Sequence, residues 1–383
     1  MGGFNLPKTG TFVGRVWRAN IGPSVVVVRN NNVVDITSKD IPTMRDLLEQ
    51  ADPVAYVHAQ KGEVICDLEA LEANSHHTFA SDGLTYLLAP CDLQAVKACG
   101  VTFARSMIER VIEERAAGDP KKAAAIREKI AGVIGDNIKN LVPGSIKAGE
   151  VKTLLISEGL WSQYLEVGIG PDVEVFSKAQ PMSAVGWGAE VGLHPISKWN
   201  NPEPEVVLSV NSRGTIIGAT LGNDVNLRDV EGRSALLLGK AKDNNASASL
   251  GPFIRLFDGE FDLASVREVT MEMTISGQDD FDLTAVCSMD EISRDPADMV
   301  KQTIGRHHQY PEGLMLYLGS MFAPTKDRGS KGDGFTHKTG DIVTISAAEL
   351  GSLTNTVELS TTCPEWTFGP TALMRNLVKR SLL

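Results

Sequence analysis

The sequence predicts an α+β protein rich in strand: a barrel- or sandwich-like β body, a small α+β segment ahead of it and a helical stretch between them. Three observations lead there. After about Ser157 the chain continues to its end in short apolar runs broken by Gly, Pro and Asn, a spacing unlike a βαβ repeat. From Thr11 to about Leu88 short strand-like runs alternate with turn residues. Between about Thr102 and Leu141 the apolar period becomes helical.

In chain order, Ser24 to Arg29 is β-branched, Asn30-Asn31-Asn32 follows, and Val33 to Ile36 returns. This reads as a hairpin, because Asn tolerates the positive φ of a tight turn. A short helix follows Pro42, with Met44, Leu47 and Leu48 on one face. FARSMIERVIEERAAG is rich in helix formers and stops at Gly118, and KKAAAIREKIAGVIG follows after Asp119-Pro120. The clearest later strands are Val206 to Val210, Thr215 to Ala219, Phe253 to Leu256, Val269 to Ile275 and Asp341 to Ser346, with a shorter one at Leu236 to Gly239. The expected organisation is a small N-terminal α+β domain over 1–88 and a β-rich domain over 89–383, with a helical insertion at about 103–141.

A chain of 383 residues can bury a full core, and 42% apolar with 22% charged residues is ordinary for a folded protein. The net charge of −11 and a pI near 5.2, without a basic stripe, disfavour a nucleic-acid partner, since a phosphate backbone is met by clustered Lys and Arg. Cys66, Cys91, Cys99, Cys287 and Cys363 are widely spread, odd in number and contain no Cys-x-x-Cys pair. They read as reduced thiols rather than a disulfide framework or a zinc site. MGGFNLPKTG has no apolar signal core, Leu6 stands where a myristoylation signal wants Ser or Thr, and no apolar run reaches membrane-spanning length. The expectation is a soluble cytoplasmic protein with no membrane partner.

The stretch NPEPEVVLSVNSRGTIIGATLGNDVNLRDV places acids at the mouth of an apolar hairpin. Glu203 and Glu205 share a parity, so on a strand their side chains leave the same face. Pro204 between them donates no ladder hydrogen bond, which places this end at an edge or rim. If the strands either side of Asn211-Ser212-Arg213-Gly214 pair antiparallel, Asp224 returns beside the two glutamates. Three converging carboxylates repel unless a cation neutralises them, and all-oxygen ligation selects Mg2+, Mn2+ or Ca2+. An isolated Glu-x-Glu is far more often a solvated strand end than a metal site, so this pair is weak by itself.

GATLGNDVNLRDVEG, followed by LGKAKDNNASASLGPFI, resembles the fumarylacetoacetate hydrolase family. That family carries a Glu-x-Glu strand, an Asn-Asp-Val-x-x-Arg-Asp segment and a lysine ahead of Leu-Gly-Pro. The matching residues here are Glu203 and Glu205, Asn223-Asp224-Val225 with Arg228-Asp229, and Lys242 before Leu250-Gly251-Pro252. The resemblance covers roughly Leu88 to the C-terminus. It implies a mixed β-roll, a divalent metal (usually Mg2+) held by Glu203, Glu205 and Asp224, and a homodimer or dimer of dimers. PDVEVFSKAQPMSAVG resembles a family segment that puts Lys178, Gln180 and Ser183 near the pocket. GLMLYLGSMFAPTKDRG resembles the stretch where the family has Gly-Thr-Pro-x-Gly around a substrate carboxylate, with Thr325 the counterpart and Ala323-Pro324 in place of the glycine.

One departure steers the chemistry. Hydrolases and decarboxylases of the family carry Gly-x-Asn-Tyr-x-x-His-x-x-Glu, whose His and Glu activate water. The counterpart here is GVTFARSMIE, with Ser106 at the histidine place and Glu109 kept. A serine without a histidine is a poor base, and His194, His307 and His308 read as surface or core-edge residues. A metal, a lysine and a glutamate suit enolate chemistry without an attacking water. Lys242, expected to have a lowered pKa, would take the C3 proton or hold the enolate oxygen. Glu109 would protonate the leaving hydroxyl, or else be a helix charge paired with Arg105 four residues earlier. Ser106 joins the catalytic set and Arg105 the substrate-binding set.

The Thr-Phe-x-x-Ser stretch and the NLRDVEGRSALLLGKAKDNNASASLGP run most resemble the family's 2-keto-3-deoxy sugar acid dehydratases. This implies an Mg2+-dependent dehydratase acting on a 2-keto acid, 2-keto-3-deoxy-D-arabinonate (pentonate) to 2,5-dioxopentanoate, through a metal-stabilised enolate in non-phosphorylating sugar catabolism. The alternatives are an acylpyruvate (diketo-acid) hydrolase or oxaloacetate decarboxylase of the same family, and a non-catalytic protein that binds metal and keto acid.

Overall fold

The computed structural model describes residues 3–76, 83–117, 119, 121–123, 126, 141–157, 159, 161–330 and 334–383, with the side chains of 104–106 outside that description. Its strands are β1 (Phe12–Arg18), β2 (Gly22–Arg29), β3 (Asn32–Asp35), β4 (Glu63–Asp67), β5 (Tyr86–Leu88), β6 (Ala95–Gly100), β7 (Glu174–Ala179), β8 (Glu190–Leu193), β9 (Pro204–Val210), β10 (Ile216–Asp224), β11 (Ala248–Leu256), β12 (Thr270–Ser276), β13 (Asp282–Ser288), β14 (Leu314–Tyr317), β15 (Ile342–Ala347) and β16 (Gly351–Leu359). Its helices are α1 (Met44–Leu48), α2 (Pro53–Ala59), α3 (Leu68–Ser75), α4 (Ala104–Ala116), α5 (Ile146–Ser157), α6 (Gln163–Ile169), α7 (Arg228–Glu231), α8 (Leu238–Lys242), α9 (Leu263–Glu268), α10 (Pro296–Thr303) and α11 (Pro370–Lys379). Among the described residues no helix is long and apolar enough to cross a membrane.

The fold is strand-rich α+β, as the sequence predicts. A large sheet runs β4-β3-β2-β1-β11-β10-β9-β14-β6-β7, with β5 also on β1, and a smaller one runs β13-β12-β15-β16-β8. Both are mixed: β14 pairs parallel with β6, and β16 with β8, while the other pairings are antiparallel. Every residue of β9 and all but the first two of β10 are buried. The register explains why. Val206, Leu208 and Val210 face one core, shared with Met271, Met273 and Ile275 of the smaller sheet, whereas Val207 faces a second core with Tyr317, Met44 and Leu47. A strand covered on both faces reads as one continuous apolar run.

The N-terminal strands continue the large sheet: Phe12 and Val13 pair with Arg255 and Ile254 of β11, and Arg15 to Trp17 pair with β5. The expected hairpin is β2–β3, with Asn30 and Asn31 at φ 48° and 67°. The helix after Pro42 is α1, whose Thr43 side chain accepts from Asp46 N and whose Met44, Leu47 and Leu48 are buried. The strand cores expected from Val206 onward lie within β9, β10, β11, β12 and β15, to within a residue or two.

The expected strand at Leu236–Gly239 is corrected. That stretch is a 3-10 turn, Ala235–Leu237, running straight into α8. Ser234 accepts from Leu236 N, and Leu-Gly-Lys-Ala-Lys carries no β-branched residue. Of the helical stretch at 102–141, α4 is described to its left-handed cap at Ala117. Gly118 and most of 124–140 lie outside the described residues.

Candidate metal centre

Glu205 on β9 and Glu203, one residue ahead of the strand, share the parity that continues as Val207. On β10, Gly222 pairs with Glu205 and the Asp224 N–H donates to the Glu203 carbonyl at 3.0 Å, so Asp224 arrives opposite Glu203. Gly222 is the glycine the site requires: a Cβ there would meet the Tyr317 ring at 2.4 Å. One carboxylate oxygen from each of Glu203, Glu205 and Asp224 lies within 4.8 Å of the others, and all three residues are buried. β14 stops at Tyr317, and the chain turns at Gly319 (φ 99°) so that its N–H reaches Glu205 Oε2 at 2.7 Å. Pro204 therefore sits where the ladder on the β14 side ends, the rim its missing donor calls for.

Two lysines complete the cluster. Lys242 closes α8 and places Nζ 2.5 Å from Glu203 Oε2 and 2.9 Å from Asp224 Oδ2. Lys178, fully buried on β7, stands 2.9 Å from Asp224 Oδ1 and donates to the Val225 carbonyl at 3.1 Å and to the Lys242 carbonyl. The electrostatics are divided. Burial opposes ionisation of Glu203, yet Arg110 and Lys242 hold it down at about 2. Burial and the charges of Asp224 and Glu203 push Glu205 well above the usual carboxylate range. The sequence-based expectation of a lowered Lys242 pKa is reversed: burial does act to lower it, but Asp224 and Glu203 outweigh burial and raise it. Three hard oxygen donors, one of them poorly neutralised by the protein, fit a divalent cation of the Mg2+ class.

The cavity at these acids measures about 20 Å³, room for a water-sized sphere. Its lining includes three residues that the sequence reading did not single out: Arg110, Glu174 and Glu231. Burial first, and the Glu231 charge second, push Glu174 up to about 7. Glu174, Phe176 and Lys178 alternate along β7, so the spacing of PDVEVFSK carried a signal for Glu174 once Lys178 was chosen. Arg110 and Glu231 sit in charge-rich helical stretches that read as solvated, and nothing in their spacing marks them as buried.

The structure brings together Glu203, Glu205, Asp224, Lys178 and Lys242. Gln180 and Ser183 lie beyond the end of β7 in a separate open cavity of about 590 Å³, where Gln180 donates to Asp243 at 3.0 Å. Thr325 is exposed beside Pro324. Glu109 contacts Arg228 at 3.4 Å and is not among the residues lining the acid cavity. The side chains of Arg105 and Ser106 lie outside the described part. His194 is half-buried, His307 and His308 are exposed, and none of the three lines the cavity.

With this geometry in hand, the comparisons with known proteins converge. Residues 170–358 match the family model for the fumarylacetoacetate (FAA) hydrolase C-terminal region. The matched region contains all three acids and both lysines. Among curated relatives, it is 31% identical over 194 residues to a probable 2-keto-3-deoxyxylonate dehydratase of Haloferax volcanii, covering 51% of this chain and 63% of that one. It is 29% identical over 185 residues to the 2-dehydro-3-deoxy-D-arabinonate dehydratase of Saccharolobus solfataricus, covering 48% and 58%. The matches thus span about six-tenths of those relatives' own lengths. Similar solved structures include 2-keto-3-deoxy-D-arabinonate dehydratase in its apo form (TM-score 0.61, 19% identity, 92% of this chain and 99% of that one) and complexed with magnesium and 2,5-dioxopentanoate (0.60, 18%, 92% and 99%). At these identities the likeness establishes the fold.

Proposed function

We propose that this protein is a divalent-metal-dependent dehydratase of 2-keto-3-deoxy sugar acids, with a 2-keto-3-deoxypentonate such as 2-keto-3-deoxy-D-arabinonate as substrate and 2,5-dioxopentanoate as product. The observation that carries the reading is the gathering of Glu203, Glu205, Asp224 and Lys242 in one buried cavity whose described lining contains no histidine. The names of the relatives, and the magnesium and dioxopentanoate of one structural neighbour, support the same class. Glu203, Glu205 and Asp224 would hold the cation. Once bound, a divalent ion supplies Lewis acidity toward the carboxylate and C2 carbonyl of a 2-keto acid.

The chain's own groups then account for the proton traffic. Dehydration removes the C3 proton and expels the C4 hydroxyl as water, leaving a C3=C4 enone with a C5 hydroxyl. Moving one proton from C5 and one from its hydroxyl onto C3 and C4 then converts that enone to 2,5-dioxopentanoate. Lys242, which Glu203 and Asp224 keep protonated, would hold the C2 oxygen as it gains charge, and would take the C3 proton only in its deprotonated form. Lys178 fixes Asp224 and the Lys242 backbone. For donation to the C4 hydroxyl the candidates are Glu174 and Glu109; Glu174 lines the cavity, whereas Glu109 is engaged with Arg228. Water activation for C–C cleavage has no histidine in this lining to run it, which ranks the acylpyruvate hydrolase and decarboxylase reading second.

The test is to incubate the protein with 2-keto-3-deoxypentonates and with acylpyruvates, with and without Mg2+, and to identify the products by mass. The expected result is an Mg2+-dependent loss of one water from the pentonate and no cleavage of acylpyruvate. Glu203→Gln, Glu205→Gln and Asp224→Asn should each abolish turnover. Cleavage into two acids would overturn the assignment, and turnover that survives chelation would remove the metal from it.

A further inference from the structure

Helix α4 carries two buried charged groups at three-residue spacing on one face, Arg110 and Glu113. Arg110 donates from Nη2 to Glu203 Oε1 and from Nη1 to Glu113 Oε2 at 2.7 Å, and Nη1 stands 3.0 Å from Glu231 Oε2. Arg228 grips the other oxygen of Glu113, with Nε at 2.7 Å and Nη2 at 2.6 Å. Arg228 itself lies 4.5 Å above the Trp199 ring and donates to the Pro324 carbonyl at 3.0 Å. Arg110, Glu113, Arg228 and Glu231 are each at most 6% exposed. Alternating charges therefore run without a break from the metal-holding Glu203 through α4 to α7. Charges this deep persist only with good geometry at every link.

The two oxygens of Glu203 are divided by this arrangement. Oε1 is taken by Arg110, while Oε2 accepts from Lys242, which also donates to Asp224. We propose that Arg110 is a positioning residue for the metal centre: by holding Oε1 of Glu203 it turns Oε2 toward the other acids, and Glu113, braced by Arg228, holds Arg110 in turn. This rests on the reading of Glu203, Glu205 and Asp224 as a cation site. It also gives α4, part of the helical insertion, a task in the site. Two effects of Arg110 oppose each other, since its charge repels a neighbouring cation while its hold orders a ligand. Removing a partner that orients a metal ligand typically costs 10–100-fold in affinity, so the ordering effect is the one expected to dominate. A planar fork offers two nitrogens in fixed geometry to separate carboxylates, which the single nitrogen of an ammonium does not reproduce.

The test measures Mn2+ affinity, by the paramagnetic resonance signal of the free aquo ion, for the full-length wild type, Arg110→Met, Arg110→Lys and Glu113→Gln, each first checked for native circular dichroism. Arg110→Met is expected to bind Mn2+ about 10–100-fold more weakly. Arg110→Lys should recover part of that loss, and Glu113→Gln should weaken binding in the same direction by less. Affinity in Arg110→Met equal to or tighter than wild type would show Arg110 to be a counter-charge alone and overturn the proposal. Should Arg110→Met not fold, Glu113→Gln decides, because it leaves Glu203 and Arg110 in place, and an unchanged affinity there is equally fatal. Wild-type protein that binds no Mn2+ overturns the cation site and this inference together, an outcome distinct from wild-type binding with indifferent variants.

Discussion

Glu205 shows how the site trades stability for chemistry. Its carboxylate is buried beside Asp224 and Glu203, and Gly319 N–H is a hydrogen-bond donor to it. A carboxylate so placed destabilises the fold until a cation joins it. Glu205→Gln keeps the shape and removes the charge, so in the absence of metal the variant should melt at a higher temperature than wild type. Adding Mg2+ at a hundredfold excess over Kd should stabilise wild type by about 2.7 kcal/mol, a rise of a few degrees, and leave the variant unmoved. Differential scanning fluorimetry with and without Mg2+ reads both; equal Mg2+ shifts in the two proteins would refute the role. Spacing made Glu203, Glu205 and Asp224 candidates, and the family resemblance singled them out. The same spacing left Arg110 and Glu231 hidden, because a charged helical side chain turned inward leaves no periodic trace, whereas Glu174 could have been found from its alternation with Lys178.

Among the elements, the segment after β14 is held by an ionic knot as well as by the packing of Met321 and Phe335. Arg328 forms two bonds to Asp341, at 2.6 and 2.7 Å, and reaches Asp279 at 2.6 Å; His337 Nδ1 meets Asp341 Oδ2 at 2.9 Å. Burial would raise the Asp341 pKa, but His337 and Arg328 bring it down to about 2. Its unfolded value is about 3.9. A depressed folded pKa means the unfolded chain binds more protons between these values, so this stabilisation is complete above about pH 4 and is lost as the pH falls through about 2. Asp341→Asn should therefore lower Tm at neutral pH, with the gap to wild type closing between pH 4 and 2. A gap that stays constant over that range in circular-dichroism melts would refute the linkage. The element the sequence misassigned, Leu236–Gly239, shows the converse limit. A four-residue apolar run fits strand or helix equally, and what settles it is the Ser234 cap together with the inward placement of Lys242.

At the level of the whole molecule the N-terminal strands are bound to the rest by more than one means. β1 pairs with β11, Phe4 packs edge-on against Trp187 and Phe253 at 4.6 and 5.5 Å between ring centroids, and Ser352 N–H donates to the Phe4 carbonyl at 2.8 Å. From the other end, Asn376 and Arg380 of the C-terminal helical region donate to the carbonyls of Ile21 and Pro23 at 2.8 and 2.6 Å. Calorimetry should accordingly give one unfolding transition that includes residues 1–88. A fragment spanning 89–383, with Phe253 uncovered and one edge of β11 unpaired, should aggregate. Two resolved transitions, or a well-behaved fragment, would show two independent units.

The sequence by itself determined the strand-rich class, the turns and the cores of the central strands, because each is written in local spacing: alternation along a strand, Asn and Gly at turns. The three acids with their lysine were legible as candidates through a motif within forty residues that resembles a known family. Tertiary structure decided what covers those acids. Arg110, Glu174 and Lys178 come from elements far from β9 in the chain, and their meeting at Glu203 and Asp224 is set by sheet order and the docking of α4. It also reversed the expected direction of the Lys242 pKa shift, since a side chain's pKa belongs to the groups that the fold places around it.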